Sequence, residues 1–373
     1  MTGHRSNSVP RDRLRILHLI DSLDAGGAEK VAVQLSNLSH RKGHRVWLGT
    51  TRRDGTLAEQ IEPGVLRVKL QRKSRFDLWP LFRLARWCRT RGVGVIHCHG
   101  SAVYVGLAAK WLGAGSKLIW HDHYGNSLEH RRLPAAWILR GSVDGIITVS
   151  EILKKWLSLR LKPDPDRMAY IPNFSTLGDA DSDPSLPGVP EDRIVMVANF
   201  RRQKDHRTAV EAFRYVNARL PKARLLLVGS SIEHSYEREI RDLVATLELR
   251  ESVVFLGPRE DVGAILRRCQ VGILSSISEG LPLTLLEYGL TGLATAATDV
   301  GQVGQILGKD RRGLLVPPKE PRLLAGAITE LLLEPHRAKQ LGQELAEYVA
   351  IHHSAEATIA QVESLYHQVL DQP

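Results

Sequence analysis

The chain has 373 residues, of which 43% are hydrophobic and 25% are charged, a composition typical of a soluble globular protein. At about 150 residues per domain, this length predicts two domains. The sequence excludes three classes of protein. It has no apolar run long enough for a spanning helix, its basic N-terminus lacks the apolar segment of a secretory signal, and its three scattered cysteines exclude a disulfide framework. We therefore expect a cytoplasmic protein.

The charge is divided unevenly along the chain. Residues 1–175 carry 29 Lys+Arg and 14 Asp+Glu, and the remainder carries 22 and 27, so the net charge of +10 divides into +15 and −5. Nine of the basic residues lie in the segment 67–91. Such a segment is typical of a surface that attracts nucleic acid, anionic lipid headgroups or a phosphorylated substrate, and equally of a solvated helix face.

The same basic segment contains two sets of apolar residues. One set has helical spacing and is predicted to pack on a sheet: Leu78, Leu81, Leu84 and Ala85. The other set is aromatic and is available for insertion at a lipid interface: Trp79, Phe82 and Trp87.

The first half of the chain alternates short apolar runs with helical patterns. The first run, 14–20, precedes a glycine turn at Gly26 and Gly27 and a helix that reaches Leu38. Further runs lie at 45–50, 65–70, 93–98, 117–120, 143–149 and 168–171. This alternation predicts a parallel sheet with helices on both faces.

The second half repeats the alternation after a segment, 176–191, whose Pro, Gly, Ser and Asp content predicts a linker. Apolar runs follow at 194–198, 224–228, 252–256, 271–274, 293–297 and 314–316. We expect one domain over 1–175, a second over 192–354, and a terminal helix over 355–373 that crosses back to the first. The predicted fold class is α/β, with two doubly wound parallel-sheet (Rossmann-like) domains facing a cleft that binds the ligands.

The segment 275–288, SSISEGLPLTLLEY, is the most informative for chemistry. A helix is predicted to begin near Leu281 with Pro282 at its first position, so that its free amides form an anion site at the carboxyl end of a strand. Glu279 and Glu287 bracket this site, and carboxylates beside an anion site suggest a sugar attached to a phosphate. The alternative is a capping acid and an unrelated surface acid. The backbone expected to line the site belongs to Gly280, Leu281, Leu283 and Thr284.

A basic loop precedes the helical pattern that starts near Thr208. It contains Arg201, Arg202 and Lys204 and directly follows the apolar run 194–198. Arginine offers bidentate contacts and lysine a mobile point charge, and both suit a diphosphate. A solvated basic loop is the alternative.

These two segments, in this order, resemble the family-4 retaining glycosyltransferases of the GT-B fold. In that family the second domain opens with Gly-Arg-Leu-x-x-x-Lys and later carries two glutamates with seven residues between them in a block like EGFPLVLLEA, which here is EGLPLTLLEY. Further matches are YIPN at 170–173, ATDVG at 297–301 and GLLVP at 313–317, with weaker matches in the first domain at 26–30, 96–100 and 120–122.

The resemblance implies roles for three residues of the second domain. Lys204 would contact the donor diphosphate, Glu279 the hydroxyls of the transferred sugar, and Glu287 the ribose hydroxyls of the nucleotide. Asn199 stands where the family usually has the arginine of its Gly-Arg-Leu pattern. The second phosphate contact is therefore expected from Arg201 or is absent.

In the first domain the resemblance implies that His121 lies near the transferred sugar and the attacking hydroxyl. Gly26 and Gly27 match the loop whose backbone approaches the donor phosphate or the acceptor. Gln305 stands where the family often has a glutamate, which leaves the role of that position open.

The sequence favours no metal and no cofactor. Two His-x-His pairs (His97 with His99, and His121 with His123) lack an acidic ligand at a fixed spacing, and the family needs no metal. The Asp-x-Asp at Asp181 and Asp183 lies in the linker and is explained by composition. Neither a dinucleotide fingerprint nor a P-loop occurs, which disfavours NAD and P-loop nucleotide binding. The resemblance implies that the small-molecule partner is a UDP- or GDP-linked sugar.

The resemblance implies a metal-independent, retaining hexosyltransferase that moves a sugar from a nucleotide diphosphate sugar to an acceptor hydroxyl in polysaccharide, lipopolysaccharide or glycolipid synthesis. The basic first domain is expected to hold an acidic or lipid-linked acceptor, or to dock on the inner face of the cytoplasmic membrane. A GT-B nucleotide-sugar epimerase would turn over without an acceptor. A basic nucleic-acid-binding protein would leave Lys204, Glu279 and Glu287 unexplained.

Overall fold

The computed structural model describes residues 13–74, 77–124, 131, 133, 136–177 and 184–372. These residues form two compact units. The first lies within Met1–His123, Arg132–Ile171 and Ile359–Pro373, and the second lies within Tyr124–Arg131 and Pro172–Thr358. Apart from the segment Tyr124–Arg131, the chain passes from the first unit to the second after Ile171 and back to the first after Thr358.

The first unit contains a seven-stranded sheet in which every pairing is parallel and the strand order is β3-β2-β1-β4-β5-β6-β7. Its strands are β1 (Arg15–Ile20), β2 (Arg45–Thr50), β3 (Leu66–Lys69), β4 (Val95–His99), β5 (Lys117–Asp122), β6 (Gly145–Thr148) and β7 (Met168–Tyr170). Its helices are α1 (Gly27–Arg41), α2 (Trp79–Arg91), α3 (Val103–Trp111), α4 (Ala136–Leu139) and α5 (Glu151–Leu161).

The second unit contains a six-stranded parallel sheet in the order β10-β9-β8-β11-β12-β13. Its strands are β8 (Arg193–Val197), β9 (Arg224–Val228), β10 (Val253–Gly257), β11 (Val271–Leu274), β12 (Ala294–Thr298) and β13 (Leu314–Val316). Its helices are α6 (His206–Arg219), α7 (His234–Thr246), α8 (Val262–Leu266), α9 (Leu283–Leu290), α10 (Val303–Leu307), α11 (Pro321–Leu333) and α12 (Pro335–His352). The last helix, α13 (Ala355–Leu370), belongs to the first unit from Ile359 onward.

The prediction of two doubly wound α/β domains is confirmed, and each apolar run named from the sequence forms a strand. The runs were readable because strands of a parallel sheet covered on both faces are apolar along their whole length. Strand order reverses between β1 and β4 and again between β8 and β11. In such sheets ligands bind outside the carboxyl ends of the strands at this reversal.

Helix α2 corrects two details of the predicted packing. Leu81, Leu84 and Ala85 are buried as their spacing predicts, but Leu78 precedes the helix and is 56% exposed. Trp87 does not stand free for an interface, because its ring packs edge-on against Trp47 with 5.3 Å between centroids.

Among the described residues, the helices are all too short or too polar to cross a bilayer.

Candidate active site

Two loops of the second unit meet at the carboxyl ends of β8 and β11, which are neighbours in the sheet. The β8 loop ends in a short 3-10 turn, Arg202–Lys204, followed by Asp205. Asp205 has a left-handed backbone (φ 49°) and caps α6, since its side chain accepts hydrogen bonds from the Thr208 amide and hydroxyl. This cap ends the loop directly after Lys204 and so fixes the backbone position from which the lysine side chain extends.

Hydrogen bonds join the β8 loop to the β11 loop. The Ser275 hydroxyl lies 3.0 Å from the Lys204 carbonyl and 2.9 Å from the Asp205 carbonyl. The Gln203 side-chain amide donates to the Ser278 carbonyl at 2.6 Å. The two loops are therefore one connected surface, although about 70 residues of sequence separate their members.

Lys204 and Glu279 form an ion pair on this surface, with the lysine Nζ 2.5 Å from Oε1 of the glutamate. The Ser276 hydroxyl donates to the same Oε1 at 2.6 Å. Glu279 is 9% exposed, whereas the Lys204 side chain is 24% exposed, so the carboxylate is buried and the ammonium group keeps access to water. The structure thus brings together the residues that were expected to contact the diphosphate and the sugar.

Gly301 supports the Glu279 loop from behind. It has φ +58°, and a Cβ added there would lie 2.1 Å from the Glu279 carbonyl oxygen. The next amide, that of Gln302, donates to the Gly280 carbonyl at 2.9 Å. A side chain at Gly301 would therefore push the segment carrying Glu279 out of place.

The helix after Gly280 begins later than the sequence predicts, because Pro282 is its cap and not its first helical residue. Pro282 is its N-cap, with φ −70° and ψ 122°, and the helix starts at Leu283 rather than near Leu281. The cap position is compatible with proline because this residue is still extended. Leu281 and Leu283 are buried at 7% and 8% exposure.

Two polar side chains of α9 are held in place by the neighbouring backbone and side chains. The Thr284 hydroxyl donates to the Val197 carbonyl at the end of β8 (3.0 Å). Glu287 is 2% exposed, and its Oε1 accepts from the Ser175 hydroxyl at 3.1 Å. Glu287 is therefore not a surface acid.

The two arginines of the β8 loop differ in their surroundings. Arg202 pairs with Glu239 at 2.5 Å on the surface, whereas the Arg201 guanidinium has no hydrogen-bonding partner in the described part of the chain. The side chain of Asn199 accepts from the Ser230 amide at 2.9 Å. Asn199 thus fastens the end of β8 to the loop after β9, and Arg201 is the arginine available to a ligand.

Tyr288 was not identified from the sequence. It is fully buried, and its hydroxyl lies 3.1 Å from the Val197 amide and 3.1 Å from the Ile273 carbonyl, so it ties the end of β8 to β11. A Cβ at Gly272 would lie 2.8 Å from the tyrosine ring. The sequence contains one signal for this contact: a glycine in the strand, Gly272, and a tyrosine at the end of the LPLTLLEY block, whose ring packs against that glycine.

In the first unit the glycine turn stands at the start of α1. Gly26 is the N-cap, with φ −146°, and Gly27 is the first helical residue. A Cβ at Gly27 would meet nothing within 4 Å. The turn therefore leaves space beside the first residue of a 15-residue helix that follows β1, whereas the Glu29 carboxylate lies against Gly26, since a Cβ there would be 2.2 Å from its Oε2.

Five histidines form a stack on one face of the same sheet. They are His18, His97, His99, His121 and His123, and adjacent rings stand 4.0–5.5 Å apart. Register explains the stack. His18 pairs with His97 across β1 and β4, His99 pairs with His121 across β4 and β5, and residues two apart in a strand share a face.

Hydrogen bonds occupy seven of the ten ring nitrogens in this histidine stack. His97 joins the Tyr366 hydroxyl (2.5 Å) to His121 (3.1 Å), and His99 joins His18 (3.2 Å) to His123 (2.9 Å). The nitrogens without a partner among the described residues are Nε2 of His18, Nε2 of His121 and Nδ1 of His123.

Burial keeps the histidine stack neutral. It lowers the pKa of His18 from 6.5 to about 3 and holds the pKa values of His97, His99 and His121 well below 6.5, with neighbouring rings adding to the effect for these three. Neutral imidazoles are metal ligands as well as hydrogen-bonding groups.

Two trios within the stack have ring nitrogens within 4.8 Å of one another, close enough to share one ion: His18, His97 and His99, and His99, His121 and His123. The Asp-x-Asp at 181–183 lies outside the described residues.

The chain resembles known glycosyltransferases in sequence and in structure. Residues 25–175 match the family model "Glycosyltransferase Family 4", and residues 180–347 match "Glycosyl transferases group 1". The N-acetyl-alpha-D-glucosaminyl L-malate synthase of Bacillus anthracis is 28% identical over 177 residues, which are 48% of this chain and 45% of the relative. An exopolysaccharide phosphotransferase of Streptomyces coelicolor is 29% identical over 231 residues, which are 61% of this chain and 24% of the relative. These alignments thus span less than half of each curated relative.

Among solved structures, HepE of Anabaena in complex with UDP and glucose superimposes with a TM-score of 0.78. It is 18% identical, and the alignment covers 95% of this chain and 100% of HepE. At that identity the likeness concerns the fold. With two family models that together match most of the chain, and a fold shared with solved glycosyltransferases, the chain belongs to the family-4 glycosyltransferases of the GT-B fold.

Proposed function

We propose that this glycosyltransferase moves a sugar from a nucleotide diphosphate sugar to an acceptor hydroxyl with retention of anomeric configuration. The observation that carries the proposal is the pair of Lys204 and Glu279, 2.5 Å apart at the ends of β8 and β11. A partly exposed cation beside a buried carboxylate is complementary to a diphosphate joined to a sugar that carries hydroxyls.

The second unit binds the donor. Lys204 and Arg201 hold the diphosphate, and the backbone of Gly280 through Thr284 adds the amides at the start of α9. Glu279 accepts from the sugar hydroxyls, and Glu287 accepts from the ribose. The departing diphosphate gains negative charge as the glycosidic bond breaks, so preorganised cations and amides lower the barrier most at that point. No metal is needed in this scheme, since Lys204 and Arg201 supply the positive charge.

The first unit binds the acceptor. The amides at Gly26 and Gly27 receive a phosphate or another anionic group, and His121 contacts the transferred sugar. The net charge of +15 in residues 1–175 favours an acidic or lipid-linked acceptor. HepE was solved in complex with UDP, so UDP is the first nucleotide to test with this chain. The exopolysaccharide relative supports a place in polysaccharide or glycolipid synthesis.

We also propose that α2 docks on the anionic inner face of the cytoplasmic membrane. Trp79 and Phe82 are 69% and 51% exposed on this helix, and Leu78 beside them is 56% exposed. Arg83 and Arg86 are exposed on the same helix. Exposed aromatic residues flanked by arginines match a surface of anionic headgroups over acyl chains.

A thermal-shift series tests the donor class. UDP, GDP, ADP and their sugar forms are added to the wild type, and a ligand at 100 times its Kd is expected to stabilise the native state by about 2.7 kcal/mol. Absence of a shift with all of them overturns the nucleotide assignment.

Lys204→Ala tests the diphosphate contact, with Arg202→Ala as the matched control from the same loop. Loss of one preorganised contact should cost about 2–4 kcal/mol of transition-state stabilisation, which is roughly a 30- to 1,000-fold loss of turnover. Arg202→Ala should stay near wild type because this arginine is engaged by Glu239. Equal effects of the two substitutions contradict the role given to Lys204.

Vesicle flotation tests the membrane surface. The wild type should float with phosphatidylglycerol vesicles at low salt and be released at high salt. Trp79→Ser combined with Phe82→Ser should weaken flotation, whereas Ile351→Ser, at a residue 70% exposed on α12, serves as the control. A wild type that stays in the soluble fraction at low salt indicates a soluble acidic acceptor instead.

A further inference from the structure

A hydrogen-bonded chain connects His121 to the C-terminal helix. The Tyr366 hydroxyl lies 2.5 Å from Nδ1 of His97, and Nε2 of His97 lies 3.1 Å from Nδ1 of His121. All three side chains are buried, at 0%, 0% and 2% exposure. Tyr366 and His97 are 269 residues apart in sequence, and both belong to the first unit.

Each of the two hydrogen bonds, Tyr366 to His97 and His97 to His121, contains one proton. The direction of the first hydrogen bond therefore fixes the direction of the second. A neutral imidazole has one N–H and one bare nitrogen. If Nδ1 of His97 accepts from Tyr366, then Nε2 of His97 carries the proton and donates to Nδ1 of His121. His121 must then carry its own proton on Nε2.

The tyrosine decides the direction. Burial raises the pKa of Tyr366 well above 10, so its hydroxyl stays protonated. Its one hydrogen bond within the described residues is to His97. If Tyr366 accepted instead of donating, its O–H proton would be buried without a partner, which is unfavourable. Tyr366 therefore donates.

We propose that Tyr366 is a positioning residue that holds His121 in the Nε2–H tautomer through His97, so that His121 acts as a neutral hydrogen-bond donor and not as a base. This inference rests on the proposed function, in which His121 contacts the transferred sugar. A second observation agrees with it. Nε2 of His121 is buried and has no partner among the described residues, so a donor there is left for a ligand.

The other histidines of the stack leave this assignment intact. His18, His99 and His123 are hydrogen-bonded to one another and not to His97 or His121. They flank His121 by ring contact, with the His123 ring 4.0 Å away. These three histidines form a separate hydrogen-bond network, so their tautomers do not determine which nitrogen of His121 is protonated.

The tautomer is read directly by long-range ¹H–¹⁵N correlation spectra of protein labelled with ¹⁵N-histidine, with His121→Asn used to assign the signal. The wild type should show His121 protonated on Nε2. Tyr366→Phe, which removes one oxygen and keeps the ring, should convert this signal to a mixture of tautomers. A wild type protonated on Nδ1, or a Tyr366→Phe spectrum identical to the wild type, overturns the proposal.

Kinetics provide the functional half of the test. Tyr366→Phe should lower kcat about 10-fold, the scale of other residues that orient a functional histidine, and leave the KM for the donor unchanged. Tyr348→Phe, on α12 of the second unit, is the matched control and should behave as wild type. An unchanged kcat in Tyr366→Phe contradicts the proposed role.

His97→Gln separates positioning from packing. The glutamine amide donates to Nδ1 of His121 without help from the tyrosine, so adding Tyr366→Phe to His97→Gln should change kcat by less than about twofold. A full 10-fold loss in that background means that the hydroxyl acts through packing and overturns the proposal. The spectra need no substrate. A protein that binds no nucleotide sugar, yet holds the proton on Nε2 of His121, would refute the proposed function alone.

Discussion

Acidification should destabilise the first unit steeply, because the histidine stack is buried without charge. Unfolded, each ring binds a proton near pH 6.5; folded, His18 does so only near pH 3. The unfolded chain therefore holds more protons at mildly acidic pH. Stability is fully present above pH 6.5, falls as pH drops through 6.5, and stops falling near the folded pKa.

The magnitude follows from the two pKa values of His18. Between pKa 6.5 and about 3, the loss at pH 5 is about 2 kcal/mol for this one fully buried ring. His97, His99 and His121 are buried and shifted in the same direction, so they add to it. His123 is partly exposed, so water screens its charge and its contribution to the loss of stability is smaller. Since a domain is stable by only about 5–15 kcal/mol, the loss from His18 alone is a substantial part of the stability of the first unit at pH 5, and the other rings increase it.

Urea unfolding followed by tryptophan fluorescence measures this loss selectively. All seven tryptophans lie in the first unit, so the signal reports that unit. The free energy of unfolding, measured at pH 7.5, 6.5, 5.5 and 5.0, should fall by well over about 1.4 kcal/mol per pH unit below pH 6, the slope for one proton. His18→Gln should reduce this slope by about 1.4 kcal/mol per pH unit, the contribution of one proton. His336→Gln, at an exposed position of α12, is the control and should leave the slope unchanged. A wild-type slope of one proton or less would mean that the rings are protonated in the folded state and would refute the reasoning.

Three further predictions concern the second unit. Glu287→Ala should weaken binding of the bare nucleoside diphosphate, whereas Glu279→Ala should weaken the sugar-bearing donor more than the nucleotide; calorimetric titration of both ligands into both variants decides, and equal losses throughout contradict the division. Turnover should persist in EDTA, and its abolition by the chelator with recovery on Mg²⁺ or Mn²⁺ would return Asp181, Asp183 and the two His-x-His pairs to consideration as metal ligands. Gly301→Ala should cost more than about 1 kcal/mol of stability, since alanine is strained at φ +58° and its Cβ meets the Glu279 carbonyl; an unchanged unfolding midpoint would contradict this.

Much of the fold was predictable because its signals are local. Parallel strands such as β4 and β11 are covered on both faces, so each is a short apolar run. The lengths of the intervening helical patterns then required parallel pairing. Even the shared face of the histidines was readable, since His97 and His99 are two residues apart in one strand and His121 and His123 are two apart in the next part of the chain.

The contacts that complete the sites were not predictable because they depend on strand order. Nothing in the sequence pairs Lys204 with Glu279 until β8 and β11 are known to be neighbours. The link between His97 and Tyr366 depends on where α13 returns to the first sheet. The start of α9 was misplaced for a different reason: proline suits both the first helical position and the extended cap before it, and composition cannot separate the two.

The ion pair also constrains how a donor enters the proposed site. In this structure Lys204 and Ser276 both donate to Oε1 of Glu279, so one oxygen is neutralised and Oε2 is bonded to neither. A sugar hydroxyl can therefore donate to Oε2 without displacing the lysine. A diphosphate, in contrast, competes with Glu279 for the charge of Lys204, and the guanidinium of Arg201, in the same loop, has no partner among the described residues. In the proposed donor complex Lys204 would be shared between two anions, and Arg201 would supply the second positive charge.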